Sequence, residues 1–205
     1  MTEKRRRNAR GKGERLEQEI VDAAVRLIDG VDQLLPITLR GVAREAGISA
    51  PSIYDHFADV QSITDAVLAR SFAELDAAVG AAVDAAASPS DALVAGCFAY
   101  VRYGWEHRAR FRFMFGAGGF APRAIVTFQR IAQSLQACID GGVSSSKDAR
   151  TDALLVWIGM HGMATLEKPA RGRLRKLGPL DRAELVEILA RRLGGLTTRR
   201  VTGSP

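Results

Sequence analysis

The most constraining feature of the chain is a pair of short helical patterns separated by only the three residues 47–49. Thr38 can cap the earlier helix of the pair, the second helix of the chain, through its hydroxyl. Gly47 suits the left-handed position that follows the end of this helix. Ser49 can cap the later helix of the pair, and Pro51 fits its first turn, where a missing N–H costs nothing. This later helix, the third of the chain, is expected to end at Phe57. The spacing therefore predicts a helix-turn-helix over residues 38–57. We expect its helices to share one small core formed by Leu39, Val42, Ala43, Ile48, Ile53 and Phe57.

The rest of the chain carries longer helical patterns and no strand-like alternation or internal repeat. Apolar residues recur at i, i+4 and i+7 over about residues 14–33, the rhythm of one buried helical face. Similar patterns predict further helices at about 59–87, 90–106, 108–116, 122–140, 149–167 and 181–193. The sequence therefore predicts an all-α fold of about nine helices.

These patterns divide the chain into four parts. Residues 1–13 are expected to form a basic disordered arm, and residues 14–58 a three-helix domain that contains the helix-turn-helix and binds DNA. Residues 59–195 are expected to form a second helical domain. Residues 196–205 are expected to form a flexible tail.

The net charge of +6 is concentrated in the arm. Residues 1–12 contain six basic residues and one acidic residue, whereas the remainder contains 23 basic and 22 acidic residues. Arg5, Arg6, Arg7 and Arg10 can therefore follow a DNA minor groove, where narrow A/T-rich segments attract arginine. A solubilising tail is the alternative for this segment. The near-neutral remainder disfavours an architectural DNA binder, which needs a broad basic face.

The sequence lacks the motifs that are typical of metalloproteins, membrane proteins, secreted proteins and enzymes. Cys97 and Cys138 lie in apolar helical patterns, with no C-x-x-C pair and no His/Cys cluster at zinc spacing, so we expect neither metal nor cofactor. The longest uncharged stretch, residues 153–166, is too short to span a bilayer. No secretory leader pattern is recognisable at the N-terminus, so a cytoplasmic location is expected. No catalytic triad, H-x-x-E pair or phosphate-binding loop is present, and an enzyme is not predicted.

The segment ITLRGVAREAGISAPSIYDHFADVQSITDAVL, together with IVDAAVRLIDG before it, closely resembles the TetR family of bacterial regulators. Residues 100–115 and the sequence VWIGMHGMATL at 156–166 resemble the branch whose effector domain carries a Trp and a His-Gly pair. The resemblance implies a dimeric repressor whose third helix enters the major groove. It also implies that residues 59–195 form a ligand-binding and dimerisation domain, with an effector pocket in the C-terminal helices.

The resemblance assigns roles within the helix-turn-helix. Tyr54 and His56 match positions that clamp phosphates, and Thr38 matches a capping residue that also touches the DNA backbone. The face from Ser49 to Asp55 matches the base-reading surface. Three features depart from the family pattern: the glycine placement in the loop from Gly30 to Pro36, the identity of Asp55, and Val60 in place of a phosphate-binding lysine. The last departure removes one expected backbone contact.

The exposed side of the third helix is poor in long hydrogen-bond donors. Ala50, Pro51, Ser52 and Asp55 cannot recognise guanine in bidentate fashion, although Asp55 can accept from cytosine N4 and the apolar residues can contact thymine methyl groups. Arg40, near the start of the second helix, is a candidate for a base or phosphate contact. The sequence therefore predicts that backbone contacts and the arm provide much of the affinity.

Most aromatic residues crowd into two later segments, which suits an apolar cavity with few polar groups. His161 is the candidate polar group of that cavity, and a hydrogen-bonded histidine at a subunit interface is the alternative. Helices 149–167 and 181–193 are predicted to form a four-helix interface in a homodimer. The candidate ligand-binding residues are Tyr103, Trp105, Phe111, Phe115, Phe128, Trp157, Met160 and His161.

The function predicted from these observations is that of a transcriptional regulator, specifically a repressor. We expect it to leave a palindromic operator in double-stranded DNA when a small, largely apolar effector binds. An activator of the same fold and a ligand-independent DNA-binding protein are the alternatives. Expected partners are DNA, a second copy of the chain and the effector, with no membrane.

Overall fold

The computed structural model describes residues 10–30, 37–116, 123–166 and 181–197, with side chains from residue 13 onward. Within these ranges the chain is all-α and no strand is present beyond one isolated bridge between Ser144 and Leu196. The prediction of an all-α fold is confirmed. The helices are α1 (Arg10–Asp29), α2 (Leu39–Ala46), α3 (Ala50–Ile53), α4 (Val60–Asp84), α5 (Pro89–Glu106), α6 (Arg108–Gly116), α7 (Ala124–Asp140), α8 (Ala149–Thr165) and α9 (Arg182–Leu193).

The local signals of the helix-turn-helix act largely as the sequence predicts. The Thr38 hydroxyl accepts a hydrogen bond from the Gly41 backbone N–H over 3.1 Å, which caps α2. Gly47 ends α2 with φ of 68°, a conformation that costs glycine little and other residues more. Two backbone N–H groups, those of Gly47 and Ile48, then bond back to carbonyls of α2. The turn is therefore fixed by its own residues.

The third helix is shorter than predicted. Its α-helical part covers only Ala50–Ile53 instead of residues 49–57, because Tyr54 N–H and His56 N–H bond to carbonyls three residues back. Ser49 occupies the N-cap position but caps no backbone N–H, and its hydroxyl instead lies 2.7 Å from the hydroxyl of Ser52. The predicted capping role of the Ser49 side chain is therefore wrong.

Other helix boundaries shift by a few residues. The first helix begins at Arg10 and ends at Asp29, whereas the pattern predicted about 14–33. Residues 10–13 of the predicted arm are thus helical, and residues 1–9, which include Arg5, Arg6 and Arg7, lie outside the described residues. The fourth helix ends at Asp84 rather than near residue 87. The predicted tail beyond residue 197 also lies outside the described residues.

Two hydrophobic cores organise the described part of the chain. The first core joins the helix-turn-helix to α1, and its predicted members Val42, Ala43, Ile53 and Phe57 are buried, while Leu39 and Ile48 are half-buried. Residues beyond the predicted domain boundary at 58 also belong to it, namely Ile63 and Val67 of α4 and Phe113 of α6. The second core lies among α4 to α9. Both α4 and α6 therefore contribute to both cores.

The second core is built around α5, which packs against α4, α7, α8 and α9. A close approach of backbones occurs where α5 crosses α8, because a Cβ at Gly104 would lie 2.8 Å from the Ala164 Cβ. A second close approach joins α8 to α9, where a Cβ at Gly159 would lie 2.7 Å from Leu189 Cδ1. Small residues at these two crossings hold the later helices together.

Candidate DNA interface and effector site

The helix-turn-helix presents a small exposed surface formed by α2, α3 and the turn that follows. Tyr54 is 59% exposed, although its neighbour Ile53 is completely buried in the first core. Ser49, Pro51 and Asp55 are exposed on the same short segment. The buried Ile53 therefore anchors a set of side chains that face away from the protein.

The remaining predicted DNA-binding residues lie around this surface. Thr38 and Arg40 are exposed at the start of α2, whereas Ala50 and Ser52 are half-buried. His56 is also half-buried, and a Cβ at Gly13 of α1 would lie 3.8 Å from its Cε1. The predicted residues between 38 and 56 thus lie within the helix-turn-helix, some exposed and some half-buried. The side chain of Arg10 is not among the described groups.

An ion pair connects this surface to α1. Arg26 Nε lies 2.7 Å from Glu45 Oε1 near the end of α2. Both side chains are substantially exposed, so the pair contributes little to stability. Positioning of α2 therefore depends mainly on the buried contacts of Val42 and Ala43.

A second candidate site lies inside the C-terminal helices, where aromatic rings surround His161 of α8. The Trp157 ring stacks on the imidazole with centroids 5.1 Å apart, and Phe115 meets it edge-on at 4.6 Å. Phe111 lies at 5.4 Å. We call these four residues and Tyr100 the His161 cluster. Four of the predicted ligand-binding residues are therefore brought together.

Tyr100 completes the cluster, and sequence reasoning did not select it. Its hydroxyl lies 2.9 Å from His161 Nδ1, a hydrogen bond between residues 61 positions apart. Burial raises the pKa of the Tyr100 hydroxyl and lowers the pKa of His161, so both groups are neutral at pH 7. The neutral hydroxyl can donate to Nδ1, which leaves the other imidazole nitrogen as a donor.

The other predicted ligand-binding residues are placed differently. Met160 is buried and Phe128 is half-buried against the second core. Tyr103 donates its hydroxyl hydrogen bond to the Ser71 carbonyl over 3.1 Å, on the side that faces α4. Trp105 donates to the Met163 carbonyl over 3.0 Å and lies outside the His161 cluster.

Trp105 instead borders a groove of about 410 Å³ that lies along α9, beside the ends of α5 and α8. The Arg182 guanidinium lies over its ring, 4.8 Å from the ring centroid. The other side chains around the groove are mostly aliphatic: Met163, Leu166, Leu185, Ile188, Leu189 and Leu193, with Arg192. This groove continues into the exposed apolar face of α8 and α9.

That apolar face contains large side chains that no other part of the described chain covers. Ile158 is 54% exposed and Leu166 is 59% exposed, although both are aliphatic. Leu154, Leu155 and Leu193 are also exposed on these two helices. Contiguous exposed apolar area of this kind marks an interaction surface.

Sequence reasoning missed a charged network that is centred on the buried Arg110 and includes two partly exposed carboxylates. Arg110 of α6 is only 6% exposed, and its guanidinium binds the Asp29 carboxylate through two N–H groups at 2.8 and 3.2 Å. The same guanidinium donates to Glu74 Oε2 over 2.6 Å and to His107 Nδ1 over 2.9 Å. No short sequence motif signals the network, because Asp29 and Arg110 are 81 positions apart.

The described residues form neither a metal centre nor a membrane span. Among them, no group of three or more His, Cys, Asp or Glu side chains is arranged to hold a metal ion. No helix in the same ranges has the length and hydrophobicity needed to cross a bilayer. Cys97 and Cys138 are buried free thiols.

A helix-turn-helix joined to a separate helical core defines a DNA-binding regulator with a second domain. Comparison with known proteins supports this class. Residues 93–193 match the family described as tetracyclin repressor-like, C-terminal domain. A search of curated protein sequences finds no significant match.

Solved structures share the fold over nearly the whole chain. A protein of unknown function from Rhodococcus sp. RHA1 is 26% identical, with a TM-score of 0.71 over 96% of this chain and 100% of that chain. A regulatory protein in the tetR family from Rhodococcus RHA1 is 20% identical, with a TM-score of 0.68 over 89% and 98% of the two chains. The TetR family regulator PfmR from Thermus thermophilus is also 20% identical, with a TM-score of 0.64 over 88% and 99%.

The chain belongs to the TetR family of transcriptional regulators. Its function is DNA-binding regulation of transcription, and it is not an enzyme. The resemblance identified from residues 20–68 and the C-terminal family match thus agree over different parts of the chain.

Proposed function

We propose that this protein is a homodimeric repressor that leaves a palindromic operator when a small, largely apolar effector binds. The observation that carries the proposal is the exposed Tyr54 beside the buried Ile53. A tyrosine that is mostly exposed to solvent can reach a phosphate, while the exposed Ser49 and Pro51 can reach base edges. A cytoplasmic location fits this function.

The His161 cluster is the proposed effector site. Its rings supply apolar contact area, and the neutral imidazole supplies one hydrogen bond that orients the ligand. Because the pKa of His161 is lowered, the site favours a neutral ligand group over one that requires an imidazolium partner. We therefore infer an aromatic or aliphatic effector with a single polar group.

The exposed face of α8 and α9 is the proposed dimer interface. Burying Ile158, Leu154 and Leu155 against a second copy removes large apolar side chains from water. For this dimer to bind an operator, its two-fold axis must place both α3 segments on the same side. Such a pair matches a palindromic operator whose half-sites are one or more helical turns apart.

The DNA part of the proposal is tested with duplexes selected by the protein from a random pool. Tyr54→Ala is expected to weaken binding to the selected duplex by about tenfold, the equivalent of one hydrogen bond to a charged group. Val126→Ala is the matched control, because Val126 is 49% exposed on α7, away from the helix-turn-helix. Fluorescence anisotropy measures the affinity of each variant for the selected duplex. Equal affinities of the two variants contradict the proposed DNA surface.

A reporter gene then separates repression from activation. With the selected duplex placed across a promoter, expression of the protein is expected to lower reporter output. Higher output supports the activator alternative and contradicts the repressor.

The dimer interface is tested by a charge placed on the exposed apolar face. Ile158→Glu is expected to sediment as a single chain of 22.1 kDa, while the unchanged protein sediments as a dimer. Val126→Glu introduces the same charge at a similarly exposed aliphatic position on α7 and is expected to remain dimeric. A dimeric Ile158→Glu protein contradicts the proposed interface.

A further inference from the structure

We propose that Arg110 is the positioning residue through which the His161 cluster and the DNA-binding helices affect one another, an inference that rests on the proposed function. The helix α6 has two differently occupied faces. Phe111 and Phe115 contact the His161 ring. Arg110 and Phe113, on the other side, contact α1 and the first core. A displacement of α6 by a ligand therefore reaches both regions.

The Arg110 contact is suited to transmit such a displacement because it is directional and buried. Two parallel N–H bonds join the guanidinium to Asp29, the last residue of α1, and fix orientation as well as distance. Breaking them removes two of the four hydrogen bonds of a guanidinium that is 7% exposed, which is costly. It is therefore favourable for α1 to follow α6.

A second ion pair connects α1 to α4 beside the first. Arg70 of α4 binds Asp22 of α1, and its Nε donates to Glu74 Oε1 over 3.0 Å. Glu74 thus accepts from both Arg70 and Arg110. These ion pairs attach α1 at two points. Arg70 of α4 binds Asp22, and Arg110 of α6 binds Asp29.

The expected consequence is reciprocal. A ligand that moves Phe111 and Phe115 shifts Arg110 and changes the position of α1, and hence of the helix-turn-helix that packs on it. By linkage, binding of DNA must change the affinity of the cluster for its ligand, and through α6 it is expected to change the surroundings of Trp157. The second direction can be measured before any effector is identified.

The chain offers a matched control for an arginine that only stabilises structure. Arg130 of α7 also forms two bonds to one carboxylate, that of Asp76 in α4, at 2.7 and 3.0 Å. Both residues lie in the effector domain, and the pair does not contact α1. Replacing Arg130 therefore removes a similar ion pair without removing the link between the two regions.

The test uses the full chain labelled with 5-fluorotryptophan and a duplex that the protein has selected from a random pool. The chain contains two tryptophans, and Trp157 stacks on His161. Saturation with the duplex is expected to shift the Trp157 ¹⁹F signal in the unchanged protein and in Arg130→Lys. Arg110→Lys keeps the charge but loses the planar fork that holds Asp29, so it is expected to lose most of the shift.

Asp29→Ala provides a second variant in case Arg110→Lys does not fold. It removes the α1 end of the link, while Arg110 keeps its bond to Glu74. Loss of the Trp157 shift in Asp29→Ala, with retained DNA binding, supports the proposal. The proposal is overturned if the unchanged protein shows no shift, if either variant shifts as the unchanged protein does, or if Arg130→Lys loses the shift equally. Failure to select any duplex instead contradicts the proposed function.

Discussion

The helix-turn-helix and the His161 cluster are built in opposite ways. In the helix-turn-helix the decisive contacts are local: Thr38 caps an N–H three residues away, and Gly47 turns the chain by its own backbone. In the cluster the decisive contact joins Tyr100 to His161 across 61 positions. The first region exposes most of its candidate binding groups, whereas the second buries or half-buries all of them. Substitutions in the helix-turn-helix should therefore change DNA binding with little effect on stability. Substitutions in the His161 cluster should change ligand binding and stability together.

The largest expected effect is in the cluster. Phe111→Ala removes a side chain that is 1% exposed and should lower the free energy of unfolding by about 3–5 kcal/mol, measured by urea denaturation. Tyr54→Ala, at an exposed position, should change it by less than about 0.5 kcal/mol. Similar losses for the two variants would show that the contrast between the regions is wrong.

A smaller effect is expected at the turn of the helix-turn-helix. Gly47→Val places a β-branched residue at φ of 68° and should cost about 1–2 kcal/mol. Beyond the neighbouring residues no atom lies within 4 Å of an added Cβ, so the loss is expected to come mainly from the backbone conformation. Gly47→Asn should lose less, because asparagine tolerates this conformation better. Equal losses in thermal unfolding would point to a side-chain clash instead.

The N-cap residues of α2 and α3, Thr38 and Ser49, allow a comparison of a side chain that caps a helix with one that does not. Thr38→Ala removes a real cap and should cost about 1 kcal/mol in thermal or urea unfolding. Ser49→Ala removes a hydroxyl that caps no backbone N–H and should cost clearly less. If Ser49→Ala proves the more damaging variant, the serine contributes through a contact other than its hydroxyl pair with Ser52.

The smallest effect concerns pH. Because the folded-state pKa of His161 is lowered by burial, the folded protein binds its proton less readily than the unfolded chain. The resulting loss of stability is absent above the ordinary pKa of about 6.5. It grows as the pH falls below that value and is complete below the lowered pKa. His161→Gln should reduce the fall in the free energy of unfolding between pH 7 and pH 5, measured by urea denaturation. If the fall is unchanged in this variant, another group causes it.

The same contrast explains how much could be predicted from sequence. The limits of α2 follow from Thr38 and Gly47, whose effects reach only a few residues. The shortness of α3 was not predicted, because the turn at residues 54–57 must redirect the chain into α4, which begins at Val60. That requirement comes from packing rather than from local preference.

In the effector domain, sequence reasoning identified members of the site but not their arrangement. Phe111, Phe115, Trp157 and His161 were selected by residue type, and the structure brings them together. Trp105, selected for the same reason, lies instead at the groove beside α9. An aromatic residue is compatible with both the His161 cluster and the groove beside α9. Which of the two sites it occupies depends on how α5 and α8 cross, and residue type does not show this.

The measurement that tests the central claim most directly is the stoichiometry and symmetry of the complex with a selected duplex. Sedimentation and footprinting should show two chains on one duplex, protecting two half-sites related by a two-fold axis. Binding without sequence preference, at a chain number that grows with duplex length, would contradict the account of this protein as an operator-specific dimeric regulator.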